Sequence, residues 1–126
     1  MLTVADLMTV RPVTVAPDTL VSNVAELMQR EGYRQLPVVE NGELVGIITD
    51  RDIRMVQRDG HFETATAESC MTPNPITVTS DTPAYRAATM LTVYKFGALP
   101  VVDQHSLIGI ITVSDFLDYF VVQPGI

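Results

Sequence analysis

Two seven-residue segments of the chain hold residue types that recognise small polar molecules: Gly46-Ile47-Ile48-Thr49-Asp50-Arg51-Asp52 and Gly109-Ile110-Ile111-Thr112-Val113-Ser114-Asp115. Both read glycine, two apolar residues, threonine, two variable residues and aspartate. A strand that ends on a helix start leaves backbone N–H groups unpaired, and here it adds a hydroxyl from Thr49 or Thr112 and a carboxylate one turn into the helix. The glycine lets a flat ligand approach the backbone. The set suits a nucleoside. A carboxylate accepts both hydroxyls of a cis-diol such as ribose, and hydroxyls and N–H groups satisfy phosphate oxygens. Apolar neighbours such as Val15, Pro37 and Ile47 can flank a base, and Thr14, Val78, Pro100 and Ile110 are further ligand-binding candidates. Thr49 also fits as a plain N-cap with Asp52 closing a capping box three residues on, and for one isolated copy that structural role is the ready explanation. Two copies weigh towards binding, because a capping box alone requires neither Gly46 nor Gly109.

The elements that must position these residues occur twice. Met8-Thr9 recurs as Met71-Thr72, Thr14-Val15 as Thr77-Val78, Asp18-Thr19 as Asp81-Thr82, and Leu36-Pro37-Val38-Val39 as Leu99-Pro100-Val101-Val102, always at an offset of 63 residues. In each half Thr3 or Thr66 caps a short entry helix, and Thr14-Val15 or Thr77-Val78 forms a brief strand after a proline. A helix follows from about Thr19 to Glu31, with Leu20, Val24, Leu27 and Met28 at helical spacing; its counterpart has Pro83 in its first turn, then Ala84, Ala87, Ala88 and Leu91. Two apolar runs come next, Leu36 to Val39 and Leu44 to Ile48, separated by a loop containing Asn41-Gly42, a strong hairpin signal. The second copy has Gln104-His105 there, weaker turn chemistry. A closing helix opens at Thr49 or Thr112. The fold class is α+β: two βαββα repeats, at 1–60 and 64–122, each a small three-stranded sheet with two helices.

Composition removes other classes of function. With 126 residues, 47% of them apolar and 18% charged, the chain can bury a real core and lies far from disorder. Lys and Arg number 8 against 15 Asp and Glu, and the net charge of −7 repels phosphate backbones, so nucleic acid is not an expected partner. No apolar run approaches the length of a membrane span, and the first residues carry neither a basic nor an apolar leader; the expectation is a complete cytoplasmic protein. The single Cys70 excludes an internal disulfide, and neither His61 nor His105 has a partner at metal-ligand spacing. There is no nucleophile beside a base and no phosphate loop of the nucleotide hydrolases, so an enzyme is a distant third reading and no cofactor is expected.

The doubled motif, with Asp6-Leu7-Met8-Thr9, Pro12-Val13-Thr14-Val15 and Gly32-Tyr33-Arg34-Gln35-Leu36-Pro37-Val38-Val39 leading up to it, resembles a tandem pair of cystathionine β-synthase (CBS) domains from about residue 3 to 120. The resemblance implies two domains about a pseudo-twofold axis. It also implies adenosyl ligands such as AMP, ADP, ATP or S-adenosylmethionine in the clefts between the repeats, and a regulatory, non-catalytic role. By position, Asp52 and Asp115 are similar to the family's ribose-binding aspartates, Thr49 and Thr112 to its hydroxyl contacts, and Arg51 and Ser114 to its phosphate-proximal residues. Arg34 and Gln35 occupy a loop that supplies basic phosphate contacts in the gamma subunit of AMP-activated kinase; Gly97 and Ala98 replace them in the second half.

Charge supports an asymmetry between the halves: Arg11, Arg30, Arg34, Arg51, Arg54 and Arg58 lie in the first, against Arg86 and Lys95 in the second. The leading expectation is a nucleotide sensor acting on an effector protein or through its own oligomer. The alternative is a structural or protein-interaction module with empty or degenerate clefts. A homodimer through helices is expected, because Phe116 to Val122 is apolar around more of its circumference than one core face needs, and Ala84, Ala87 and Ala88 permit close helix approach.

Overall fold

The computed structural model describes residues 1–122. In chain order its elements are α1 (Val4–Leu7), β1 (Thr9–Val10), α2 (Val21–Glu31), β2 (Gln35–Glu40), β3 (Glu43–Thr49), α3 (Asp50–Arg58), α4 (Ala67–Cys70), β4 (Thr72–Pro73), α5 (Ala84–Val93), β5 (Ala98–Asp103), β6 (Ser106–Thr112) and α6 (Val113–Val122). They form two compact units, Val13–Pro75 and a second that joins Met1–Pro12 to the chain from Ile76 onward.

In the Val13–Pro75 unit, β2 and β3 form the hairpin that Asn41 and Gly42 encode: both turn residues have positive φ, 52° and 82°, the handedness that matches strand twist. The antiparallel sheet runs β2-β3-β4. Alternation along the strands places Leu36, Val38 and Ile48 on one face, where they are buried against Val21, Val24 and Met28 of α2 and Ile53 of α3. Gly32, at φ 78°, ends α2 in the left-handed conformation and donates its N–H to Met28 O.

The other unit repeats this plan with sheet order β1-β6-β5 and a core of Val4, Val78, Ala87, Leu91, Leu99, Val101 and Ile111. Its hairpin turn is made by Gln104 and His105, at φ 49° and 69°, two side-chain-bearing residues in the conformation that Asn-Gly adopts at lower cost.

The third strand of each sheet is not Thr14-Val15 or Thr77-Val78. Val15 and Val78 make isolated parallel bridges to Val38 and Val101, whereas the third strands are β4 and β1. The repeat of the sequence and the compact unit of the structure are thus different divisions of the chain. Residues 1–12 pack with the 76–122 stretch because Val4 is fully buried there, its N–H bonded to Thr82 O at 2.8 Å while Ala84 N–H bonds Leu2 O at 2.9 Å. Ala67 is likewise fully buried in the Val13–Pro75 unit, with its N–H on Thr19 O at 2.8 Å. Burying one valine contributes about 1.5 to 3 kcal/mol, enough to hold a four-residue helix that cannot persist alone.

Ala84 and Ala87 are buried, 4% and 0% exposed, with Ala87 in its own unit's core, so neither offers surface for a second helix from outside. Outward-facing apolar groups sit elsewhere: Tyr85 and Val93 on α5, and Val113, Leu117, Phe120 and Val121 on one face of α6.

Candidate functional site

Thr49 ends β3 and caps α3. Its hydroxyl accepts from Asp52 N–H at 3.2 Å, and its own N–H donates to Asp52 Oδ2 at 2.9 Å, a complete capping box. Asp52 Oδ1 has no hydrogen-bond partner among the described residues. The register sets Gln35 opposite Thr49 and Pro37 opposite Ile47, and strand alternation puts these four on one face of the sheet, opposite the face that carries Leu36, Val38 and Ile48. Val15 is stitched to the same edge: its N–H donates to Pro37 O at 3.1 Å and its carbonyl accepts from Val39 N–H at 2.9 Å. Arg34 reaches this end of the sheet because its carbonyl accepts from Asp50 N–H at 2.9 Å.

Arg34 and Arg51 are exposed, and neither forms a salt bridge among the described residues, whereas Arg54 pairs with Asp50 at 3.3 Å and Arg30 with Glu31 at 3.2 Å. Two exposed arginines without a salt bridge among the described residues are thus tied by their backbone to the start of a nine-residue helix, Arg51 in its first turn and Arg34 through its carbonyl on Asp50 N–H. Thr14 is exposed, but Pro37 is fully buried and Val15 is 8% exposed, and their backbone groups are already paired with each other and with Val39, so these two offer a ligand little beyond the shape of the strand edge.

The second copy has the same frame and different chemistry. Thr112 N–H donates to Asp115 Oδ2 at 2.8 Å, and Asp115 N–H donates to the Thr112 hydroxyl at 3.3 Å. Ala98 lies opposite Thr112 and Pro100 opposite Ile110, while Val78 N–H bonds Pro100 O at 3.1 Å. Val78 and Ile110 are buried, and Gly97 and Ser114 stand where the other copy has Arg34 and Arg51. The Thr9 hydroxyl donates to Asp115 Oδ1 at 3.2 Å, a contact 106 residues apart in sequence that only the folded chain reveals. Thr72, its repeat counterpart, makes no such bond to Asp52 among the described residues.

The two glycines serve the core face. A Cβ on Gly46 would run into Met71 Sδ and lie 2.8 Å from Met71 Cγ and 2.9 Å from Thr72 O; on Gly109 it would lie 2.8 Å from Met8 Sδ and 2.9 Å from Thr9 O. Gly46 and Gly109 pair with β4 and β1, and their missing side chains admit those strands and the methionines before them. The ligand-approach role expected for both glycines is therefore not where the space is used. The motif's recurrence, which weighed towards binding, has a packing explanation as well.

Two groups titrate away from their ordinary values, Cys70 beside Asp52 and Asp103 at the far, hairpin end of β5 from Thr112. Burial, and then the Asp52 carboxylate, push the Cys70 thiol above its ordinary value, so it stays protonated and unreactive. Asp103 accepts from the Ser80 hydroxyl and from Ser80 N–H, which hold its carboxyl below the usual aspartate value. No group of three or more His, Cys, Asp or Glu among the described residues is placed to hold a metal ion.

A family model described as the CBS domain matches residues 4–59 and again 67–122. The chain belongs to the CBS domain family. This CBS pair is 33% identical over 121 residues to the CBS domain-containing protein YhcV of Bacillus subtilis (strain 168), an alignment spanning 91% of this chain and 83% of that protein. The crystal structure of CBSX2 in complex with AMP matches it with a TM-score of 0.90 at 31% identity, over 98% of this chain and 99% of that one; CBSX2 comes from Arabidopsis thaliana. The CBS domain pair of MJ0100, in complex with 5′-methylthioadenosine and S-adenosyl-L-methionine, matches with a TM-score of 0.86 at 30% identity, over 96% and 97% of the two chains.

Proposed function

We propose that this CBS pair is a non-catalytic regulatory module that binds an adenosyl nucleotide such as AMP, ADP, ATP or S-adenosylmethionine. Asp52 and Asp115 take the ribose hydroxyls, Thr49 and Thr112 with the adjacent helix N-termini take phosphate oxygens, and Arg34, Gln35 and Arg51 favour a charged ligand at the first of these segments. The observation that carries this reading is the likeness, over nearly the whole chain, to CBSX2 in complex with AMP. Thermal unfolding with each nucleotide tests it. At a hundredfold excess over the dissociation constant, linkage adds about 2.7 kcal/mol, several degrees for a chain of this size. Unchanged melting with AMP, ADP, ATP and S-adenosylmethionine alike would reject it.

A second reading has its own support. Capping and strand packing alone account for Thr49, Asp52 and Gly46, as they would in a protein-interaction module with empty clefts. The same melting experiment separates the two.

The module acts through a partner of its own kind or an effector protein, in the cytoplasm. Val113, Leu117, Phe120 and Val121 lie along one face of α6 and are 50% to 76% exposed, which supports a homodimer through this helix. Leu117→Glu combined with Phe120→Glu turns such a dimer into a monomer in sedimentation. A wild-type monomer at micromolar concentration is the opposing result.

A further inference from the structure

The two aspartates that anchor the proposed sites have unequal free valences: Asp115 accepts from the Thr112 N–H and from the Thr112 and Thr9 hydroxyls, whereas Asp52 accepts from the Thr49 N–H alone among the described residues. Each carboxylate spends Oδ2 on the N–H of the threonine three residues before it. Asp52 keeps Oδ1 open, whereas Asp115 Oδ1 accepts from the Thr9 hydroxyl at 3.2 Å. Thr9 sits on β1 opposite Ile110, two residues before Thr112, so the strand pairing holds its hydroxyl beside the carboxylate. A vicinal diol that uses both carboxylate oxygens must share this one with Thr9.

We propose that Thr9 is a specificity-determining residue: its hydroxyl takes one of the two acceptor positions on Asp115 Oδ1, so that the Thr49–Asp52 segment takes a nucleoside diol directly and the Thr112–Asp115 segment takes one in competition with the Thr9 bond. The inference rests on the nucleotide-binding reading above and adds an order of filling to it. The two segments also differ in charge, since Arg34 and Arg51 flank the first and Gly97 and Ser114 the second. Adenosine, which has the diol but no phosphate, isolates the effect of the carboxylate from that of the arginines.

The experiment is calorimetric titration of the full chain with adenosine and, separately, with AMP. Asp52→Ala in an otherwise wild-type chain removes the tighter adenosine event. Thr9→Val, which keeps the β-branched shape at an exposed strand position and deletes only the hydroxyl, tightens the weaker event by about two- to tenfold, the worth of one neutral donor on an exposed carboxylate. Thr9→Ser retains the donor and behaves as wild type. Thr9→Val with Asp115→Ala loses the gain, and Thr72→Val leaves the tighter event as it was. Adenosine binding that Thr9→Val does not alter overturns this inference while leaving the nucleotide-binding reading intact. No binding of either adenosine or AMP by the wild type overturns both.

Discussion

Gly46→Ala separates two explanations of the glycine that recurs in both halves. A Cβ at this position lies 2.9 Å from Thr72 O, whereas ordinary Cβ contacts begin near 3.4 Å, and it also collides with Met71 Sδ. The methionine can swing aside; the carbonyl cannot move without dragging β4, whose hold on β3 consists of the pairs Gly46–Pro73 and Ile47–Thr72. Overpacking of this kind costs about 1 to 3 kcal/mol. Alanine's smaller unfolded-state entropy offsets about 0.4 to 1 kcal/mol of that. At the midpoints of these ranges the net loss is about 1.3 kcal/mol, or roughly 5 °C in melting temperature for a chain of this length. Urea unfolding followed by circular dichroism measures the loss. Titration with AMP under conditions where the variant remains folded measures whether binding follows it. Because the added methyl points to the core face, AMP affinity of the folded variant stays within about threefold of wild type. A variant as stable as wild type would show that the strand contact is not tight. A folded variant whose AMP affinity falls more than tenfold would show that the glycine serves the ligand face after all.

Three further outcomes follow from the same structure. Arg51→Ala weakens AMP by roughly ten- to hundredfold, the worth of one charge-assisted hydrogen bond, and leaves adenosine nearly unchanged; equal losses for both ligands in calorimetry would show that this exposed, unpaired guanidinium does not read the phosphate. Replacing Gln104-His105 by Asn-Gly relieves two positive-φ residues in the β5–β6 turn and raises stability by about 1 kcal/mol or more in urea unfolding, whereas His61→Gly, outside that turn, gives no such gain. The lowered pKa of Asp103 means that the unfolded chain binds its proton more readily. Its contribution to stability is therefore complete above the ordinary aspartate value of 3.8 and is lost as pH falls through the lower folded value. Asp103→Asn flattens the acid limb of the stability profile, and an unchanged limb in acid titration would discount the Ser80 contacts.

What the sequence determined by itself is what depends on residues close together in the chain. The hairpin at Asn41-Gly42, the cap that pairs Thr49 with Asp52, and the break of α2 at Gly32 are set by the conformational limits of two to four neighbouring residues, so their chemistry is legible before any fold is known. The duplication was legible too, because an uninterrupted 63-residue offset needs no structure to be seen. Tertiary structure decided everything that turns on which distant segment arrives at a given face. Val4 and Ala67 carry no local mark that sends Met1–Pro12 to the chain beyond Ile76, or α4 and β4 to the unit that begins at Val13; burial in one core does so. Ala84 and Ala87 fit a helix–helix contact or a core equally well by size alone, and only the packing of α5 shows that they face inward. Gly46 reads as permissive backbone in either role until Met71 and Thr72 fill the space where a side chain would stand. Asp52 and Asp115 are identical in sequence context up to their flanking residues, yet one keeps an oxygen open and the other does not. The difference lies in a hydroxyl 106 residues from Asp115, brought beside it by strand pairing that no local pattern encodes.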